Sequence, residues 1–479
     1  MRVRTLLVLL LFFSIVDLVH SQDMTKSYLN FGQTTIRKHE SDSLNADISA
    51  SIGNEWDSFQ VSEGNSKDAR PTFEELPTAV MNSNSSSGPL RVVEVVDTIP
   101  SIWTVPVTDA IADGGEEYGV KSVEFDFYGI VQIVSIPDEY GRFHPKSITE
   151  ADISEFWKRL SEYNYQRIIS DCNKYKAALG YNDWAVLQWT QALAKTVFPD
   201  NINSEQEIFT VFILNQMGLG VRVARTGDHL VMIFSSMQNV YSRKYIVIDT
   251  TPFYLVHDIG ANTNIFTYRI GYAKSPRPLD LRIRDSIKIG DPSQCIHVNR
   301  YSSVWETDLK FSVPKGLIEF YDDYPQLDAK VYVTSAPNSA FLKLFQNILG
   351  NQTNLSKQDL LNQLLCFLHI DFKYMVDQKQ FGREKPFFCE ENFIYTYNDC
   401  EDRSILLSVL VRNLLGSKVV ILDYKEHMAI AVKLDEQIKG DYLILDNERY
   451  YVCDPTYIGA TVGMSIPQYR SIPVTVYRL

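Results

Sequence analysis

Near the C-terminal end of this 479-residue chain, three side chains have the types and spacing that thiol chemistry uses. They are the thiol of Cys400, the imidazole of His427 and the carboxylate of Asp454, each 27 positions from the next. A thiol attacks carbonyl carbon as its thiolate, an imidazole moves the proton, and a carboxylate fixes the imidazole tautomer. Acyl transfer at an amide bond is the reaction such a set performs.

These groups need elements that bring them together. Tyr397-Asn-Asp-Cys400-Glu-Asp-Arg-Ser followed by Ile405 to Leu415 and Gly416 reads as a helix. Asn398 or Asp399 caps it, Glu401 and Asp402 suit its first turn, Arg412 its last, and Gly416 its C′ position. Cys400 therefore stands at a helix N-terminus, where unsatisfied N–H groups and the dipole favour a thiolate. The two acidic neighbours oppose this, so a cationic partner is required. Lys418 to Leu422, His427 to Leu434 and Tyr450 to Cys453 read as strands. Antiparallel pairing would bring their ends, and so all three groups, together.

Cys400-x-Asp402-x-Ser404, Arg412-x-x-x-Gly416, His427-x-Ala429 and Asp454-Pro455-Thr456 resemble the transglutaminase-like superfamily, a circularly related cousin of the papain fold. The similarity is closest to secreted two-domain members of the kind found in Bacteroidetes. The resemblance implies Cys400 as nucleophile, His427 as general base and acid, and Asp454 as its orienting partner. Ala429-Ile430 and Tyr450-Tyr451 stand where many members have Trp.

The composition is that of a globular protein of two or three domains, with 45% hydrophobic and 22% charged residues. A formal charge of −13 and no broad basic stripe exclude nucleic acid as a partner. Arg2 and Arg4 before an apolar run, then Val19 and Ser21 ahead of Gln22, form a secretory signal over 1–21, so the expected location is periplasmic or secreted. No later segment is apolar enough to span a bilayer. Six cysteines allow at most two disulfides, with Cys366 and Cys453 expected as buried thiols. No phosphate loop, His-Glu-x-x-His or Cys-x-x-Cys is present, so neither a metal nor another cofactor is implied.

Residues 22–88 are polar and read as a flexible leader. An N-terminal domain over 89–266 contains a second helix, strand, His-strand, Asp-strand series. It runs from Glu207 to Gly218, through Val221 to Ala224 and Asp228-His229 to Phe234, and on to Tyr245 to Asp249. His229 follows Gly218 by 11 residues, as His427 follows Gly416. No thiol occupies the position that matches Cys400. The expectation is an internal duplication with a degenerate first copy, in which His229 and Asp249 are structural. A β-rich connector over 267–335 leads to the catalytic domain over 336–479. Phe381 to Phe388 and Phe393 to Tyr397 read as aromatic loops along a cleft.

The expected fold is thus α+β: a transglutaminase-like, papain-like domain of helices against an antiparallel sheet, after a degenerate copy. The expected function is an exported thiol enzyme that cleaves or transfers acyl groups on a protein or peptide substrate with accessible amides, hydrolysis ahead of cross-linking. The alternative is a non-catalytic protein that keeps this fold for protein or glycan recognition.

Overall fold

The structure, a computed structural model, describes residues 48–53, 56–63, 76–79, 88–96, 119–259, 264–269, 277–352, 354–424 and 426–479. The expected signal sequence over residues 1–21 lies outside them.

After a helical turn over 48–52 come β1 (Asp57–Phe59), β2 (Val92–Val96) and a hairpin of β3 (Val120–Phe127) and β4 (Ile130–Pro137). Helices α1 (Glu150–Glu162), α2 (Gln166–Leu179), α3 (Asp183–Val197) and α4 (Glu205–Gln216) follow. Thr149 and Asn182 cap α1 and α3 by accepting N–H bonds in their first turns. Next are β5 (Val221–Thr226), β6 (His229–Ser235), β7 (Val240–Tyr241), β8 (Tyr245–Ile248), β9 (Thr251–Leu255) and β10 (Ile265–Thr267).

The second half opens on another hairpin, β11 (Cys295–Ser302) with β12 (Thr307–Pro314). It continues through α5 (Lys315–Asp322), β13 (Gln326–Leu327), α6 (Ala329–Thr334), α7 (Ser339–Gly350) and α8 (Lys357–Ile370). Then come β14 (Lys373–Tyr374), the single turns α9 (Asp377–Gln380) and α10 (Glu391–Ile394), β15 (Tyr397–Asn398) and α11 (Cys400–Leu410). The chain ends in β16 (Val419–Tyr424), β17 (His427–Lys433), β18 (Tyr442–Leu445), β19 (Glu448–Cys453) and β20 (Val474–Arg478).

The architecture is α+β, and its two large sheets share one topology. The first has the order β8-β9-β6-β5-β10-β1 and the second β18-β19-β17-β16-β20-β2. Every neighbouring pair is antiparallel except β2 with β20, which is parallel. The matching β8–β9 and β18–β19 hairpins both turn through two residues of positive φ. These are Asp249 and Thr250 at 45° and 73°, and Asp446 and Asn447 at 50° and 62°. Such a pair matches the right-handed twist of the strands it joins. One continuous apolar core contains Trp157 and Phe212 of the first half, Phe320 and Phe388 between, and Leu406 and Ile430 of the second.

Several sequence expectations need correction. Residues 48–52 are helical and bury Ile48 and Ile52, Trp56 is buried beside them, and β1 joins the first sheet, so this part of the leader is packed. Residues 92–96, expected in the N-terminal domain, are the edge strand of the second sheet. The connector holds two helices besides its hairpin, because Lys330 to Thr334 is helical rather than extended. Its Val331, Tyr332 and Val333 are all buried, and a short apolar run of that kind does not distinguish helix from strand. Asp249 does not occupy the place of Asp454. It lies in a hairpin turn where the second unit has Asp446, and pairs at the surface with Arg269 (2.9 Å). Counted from that turn, the position of Asp454 falls on His257.

Candidate active site

All eleven residues of α11 are buried, although its first five are Cys, Glu, Asp, Arg and Ser. Burying that many polar groups is costly unless they are satisfied, and the chain satisfies most of them, Arg403 Nε and Ser408 Oγ having no hydrogen-bond partner among the described residues. Asp399 accepts the N–H groups of Glu401 (2.8 Å) and Asp402 (3.2 Å), and Asp402 accepts the N–H of Asp399 (3.1 Å), a reciprocal capping box. The other oxygen of Asp402 accepts the Phe387 N–H (3.0 Å). Arg403, fully buried, donates to the carbonyls of Phe372 (2.9 Å) and Pro455 (3.4 Å). At its other end the helix passes into a π-helical turn over Val411–Leu415 and stops at Gly416, whose φ of 60° is the left-handed cap expected there. Arg412 donates to the Val333 carbonyl (2.7 Å) instead of capping its own helix.

β17 lies along α11, and Ser404 donates to the Met428 carbonyl (3.0 Å). That bond ties the first turn after Cys400 to the residue after His427. On the other side β17 pairs with β19, with Ile430 opposite Cys453, so the chain leaving β19 returns past the start of β17. There Asp454 Oδ2 lies 2.8 Å from His427 Nε2. Thr456 donates to Asp454 Oδ1 through its N–H (3.0 Å) and its hydroxyl (2.8 Å). Burial alone would raise the Asp454 carboxyl, but the His427 charge and these donors outweigh it and hold it below the usual carboxylate range.

With the Asp454 carboxylate accepting from Nε2–H, Nδ1 of His427 carries the lone pair that a thiol proton needs. The imidazole lies nearly parallel to the Tyr469 ring (4.8 Å between centroids) and to Tyr424 (6.1 Å). Tyr469, Tyr374 and Arg403 all lie within electrostatic range of Cys400. Burial lowers the Arg403 guanidinium to about 10, still a cation at neutral pH. It is a cation of the kind required near the thiol, from a residue that spacing alone did not single out.

His369 braces Asp454 through its backbone carbonyl. Gly459 N–H donates to its Nδ1 (3.3 Å), so its Nε2–H donates to the Asp454 carbonyl (3.2 Å), and burial lowers the imidazole below its ordinary range, keeping it neutral. Tyr374, in the short β14 beside β15, has its ring under the Arg403 guanidinium (5.7 Å). Burial and the Cys400 and Asp399 charges raise its ionisation, so it remains a phenol. Tyr469, Tyr374 and His369 lie far from the motif in sequence, and only the fold reveals them.

Among the described residues one group of carboxylates could hold a cation: Asp377, Glu384 and Asp399, with ligand oxygens within 4.8 Å of one another. Asp399 already caps α11, and Asp377 accepts the Lys385 N–H (2.6 Å). Burial, with the neighbouring Asp399 charge, raises Asp377 to about 9. The aromatic stretch beside it is packed rather than lining a cleft. Phe387, Phe388 and Phe393 are buried, and Lys385 pairs with Glu391 under the Tyr395 ring (5.0 Å).

All six cysteines are free thiols, and Cys366 is half-buried rather than buried. Cys172 and Cys453 are pushed up by burial, to about 12 for Cys172. Of the sequence-nominated residues, Cys400, His427 and Asp454 belong to one buried neighbourhood; His229 and Asp249 lie at the surface of the first sheet. Compared with protein-family models, curated proteins and solved structures, the chain matches none.

Proposed function

We propose that the protein is an exported thiol enzyme of the transglutaminase-like kind, cleaving or transferring acyl groups at amide bonds. The observation that carries this reading is the buried 2.8 Å contact between Asp454 and His427, on the strand that packs along the helix opened by Cys400. In this reading His427 Nδ1 takes the Cys400 proton, and the thiolate attacks an amide carbonyl. The Cys400 N–H at the helix start is the natural donor to the developing oxyanion. As the C–N bond breaks, His427 gives its proton to the leaving amine, and a thioester remains on Cys400. Water, or a second amine, then loses a proton to His427 and attacks the thioester, releasing the acid or a new amide and restoring the thiol.

Export rests on residues 1–21; among the described residues no helix is long and apolar enough to cross a membrane. The test is turnover of glutaminyl and peptidyl amide substrates by wild type and Cys400→Ala. Release of amine by wild type, abolished in Cys400→Ala with an unchanged melting temperature, is expected. Equal release by both would refute the nucleophile.

A second reading has its own support. Cys400 is only 2% exposed and His427 not at all, so the thiol is closed to substrate in this conformation. A protein that keeps this scaffold only for recognition would leave Cys400 inert. In the enzyme, a substrate must open the site.

A further inference from the structure

The stretch 454–463 follows β19 and carries the carboxylate that meets His427, so whatever fixes its backbone also fixes that carboxylate. Ile458 exchanges backbone bonds with Pro77 (2.8 Å) and Ala79 (2.7 Å). Arg403 of α11 donates to the Pro455 carbonyl (3.4 Å). Helix α8 holds the stretch at two further places. Asn362 Oδ1 accepts the Val462 N–H (2.9 Å). Two turns on, the His369 imidazole spans the Gly459 N–H (3.3 Å) and the Asp454 carbonyl (3.2 Å).

Backbone amides, a carboxamide and a guanidinium keep one charge state from pH 5 to 8, whereas an imidazole does not. His369 is also the anchor that reaches the very residue whose side chain orients His427.

Its two bonds require one protonation state. Gly459 donates to Nδ1, so Nδ1 holds a lone pair and Nε2 carries the proton that goes to the Asp454 carbonyl. A second proton would sit on Nδ1 and meet the Gly459 N–H donor against donor, breaking that bond. The charged groups that face the ring are Asp454 on this stretch and Arg403 on α11. Burial, with the Arg403 charge acting in the same sense, outweighs the pull of Asp454 and keeps the imidazole below its ordinary range. Were it charged, it would share the Asp454 carboxylate that otherwise stabilises a His427 imidazolium, and His427 would become a weaker base.

Resting on the thiol-enzyme reading of Cys400, we infer that His369 is a positioning residue for the proposed reaction. Its neutral imidazole holds Asp454 where the carboxylate can orient His427, and its protonation disengages the triad on the acid side. It acts through the backbone of Asp454 rather than on substrate.

The test is the rate of Cys400 alkylation from about pH 5 to about pH 8, the span in which an imidazole titrates. It is read by mass spectrometry on the full-length protein for wild type, His369→Ala and His369→Gln. His369→Ala removes both bonds and should slow labelling at neutral pH about tenfold, the factor that corresponds to one lost hydrogen bond. A glutamine side chain can accept from Gly459 and donate to Asp454 without titrating, so His369→Gln should recover most of that rate. Wild type should lose reactivity below the ordinary histidine range with the steepness of two protons, one at the Cys400–His427 couple and one at His369. His369→Gln should lose it with the steepness of one. Hydrogen exchange of 454–463, corrected for intrinsic rate, should rise over the same fall in pH in wild type and stay flat in His369→Gln.

If His369 only packs, His369→Ala will lower the melting temperature with rate and acid slope unchanged, and its positioning role falls while the thiol reading stands. Should His369→Ala fail to fold, equal acid slopes in wild type and His369→Gln overturn the role by themselves. Wild-type Cys400 that labels no faster than Cys295 and Cys366 overturns the thiol reading and the role of His369 with it.

Discussion

Arg403 is the residue whose role is least visible in the sequence and most specific in the structure. Its guanidinium is fully buried, spans two carbonyls from separate segments, and stands one helical turn from Cys400. A cation so placed favours the thiolate over the thiol. Arg403→Gln should therefore move the pH midpoint of Cys400 alkylation upward by about one unit, in line with removal of a nearby opposite charge. If Arg403 only braces the loops, the melting temperature will fall while the midpoint stays fixed. Cys400, His427 and Asp454 could be nominated from the sequence because each stands at a punctuated element boundary: a capped helix start, a strand start and an Asp-Pro-Thr turn. Tyr374, Tyr469 and His369 could not, since aromatic and imidazole side chains at unrelated sequence positions carry no local signal of what they will touch.

At the scale of elements, α11 has polar residues buried at one end and apolar residues along the rest, so its start depends on the capping box. Asp399→Ala should cost about 1–2 kcal/mol, the upper range for a lost N-cap, seen as a lower midpoint in denaturant unfolding. A change within about 0.5 kcal/mol, as for an ordinary surface site, would mean that the box is redundant. Helix periodicity and Val-, Ile- and Leu-rich strands made α11, β16, β17 and β19 readable with nearly their observed bounds. The errors fell where short apolar runs had no period to read, as at 330–334, and where long-range pairing decides. Residues 92–96 join the second sheet through a partner about 380 positions away in sequence, a distance no local pattern reports.

For the molecule as a whole, the two sheets of matching order and their common core make stability a joint property, and buried titratable groups set its dependence on pH. Asp377, raised to about 9, binds a proton in the folded state that the unfolded chain, with its ordinary carboxyl value of 3.8, has already lost at neutral pH. Its contribution is thus fully present at low pH and declines as pH rises through that window. His369 acts oppositely. Its folded imidazole is lowered, so its contribution is complete above the unfolded value of 6.5 and is lost as pH falls below it. Asp377→Asn keeps an acceptor for the Lys385 N–H and removes the charge. It should raise the melting temperature at about pH 8 and flatten the loss between about pH 5 and 8, by the same linkage. A variant with the wild-type slope would mean that Asp377 is ionised in the fold.

The central claim is that Asp454 orients a working imidazole beside Cys400 rather than merely closing a turn with Thr456. The measurement that tests it most directly is the rate of Cys400 alkylation against pH, read by mass spectrometry for wild type and Asp454→Asn, with melting temperatures alongside. A functional triad predicts that Cys400 is labelled ahead of the more exposed Cys295 and Cys366 near neutral pH. It also predicts that Asp454→Asn slows that labelling by on the order of 10²- to 10⁴-fold, the range seen when a triad loses its carboxylate, with the melting temperature little changed. Identical rate profiles in the two proteins, with only the melting temperature lowered, would contradict the account and leave Asp454 a structural residue.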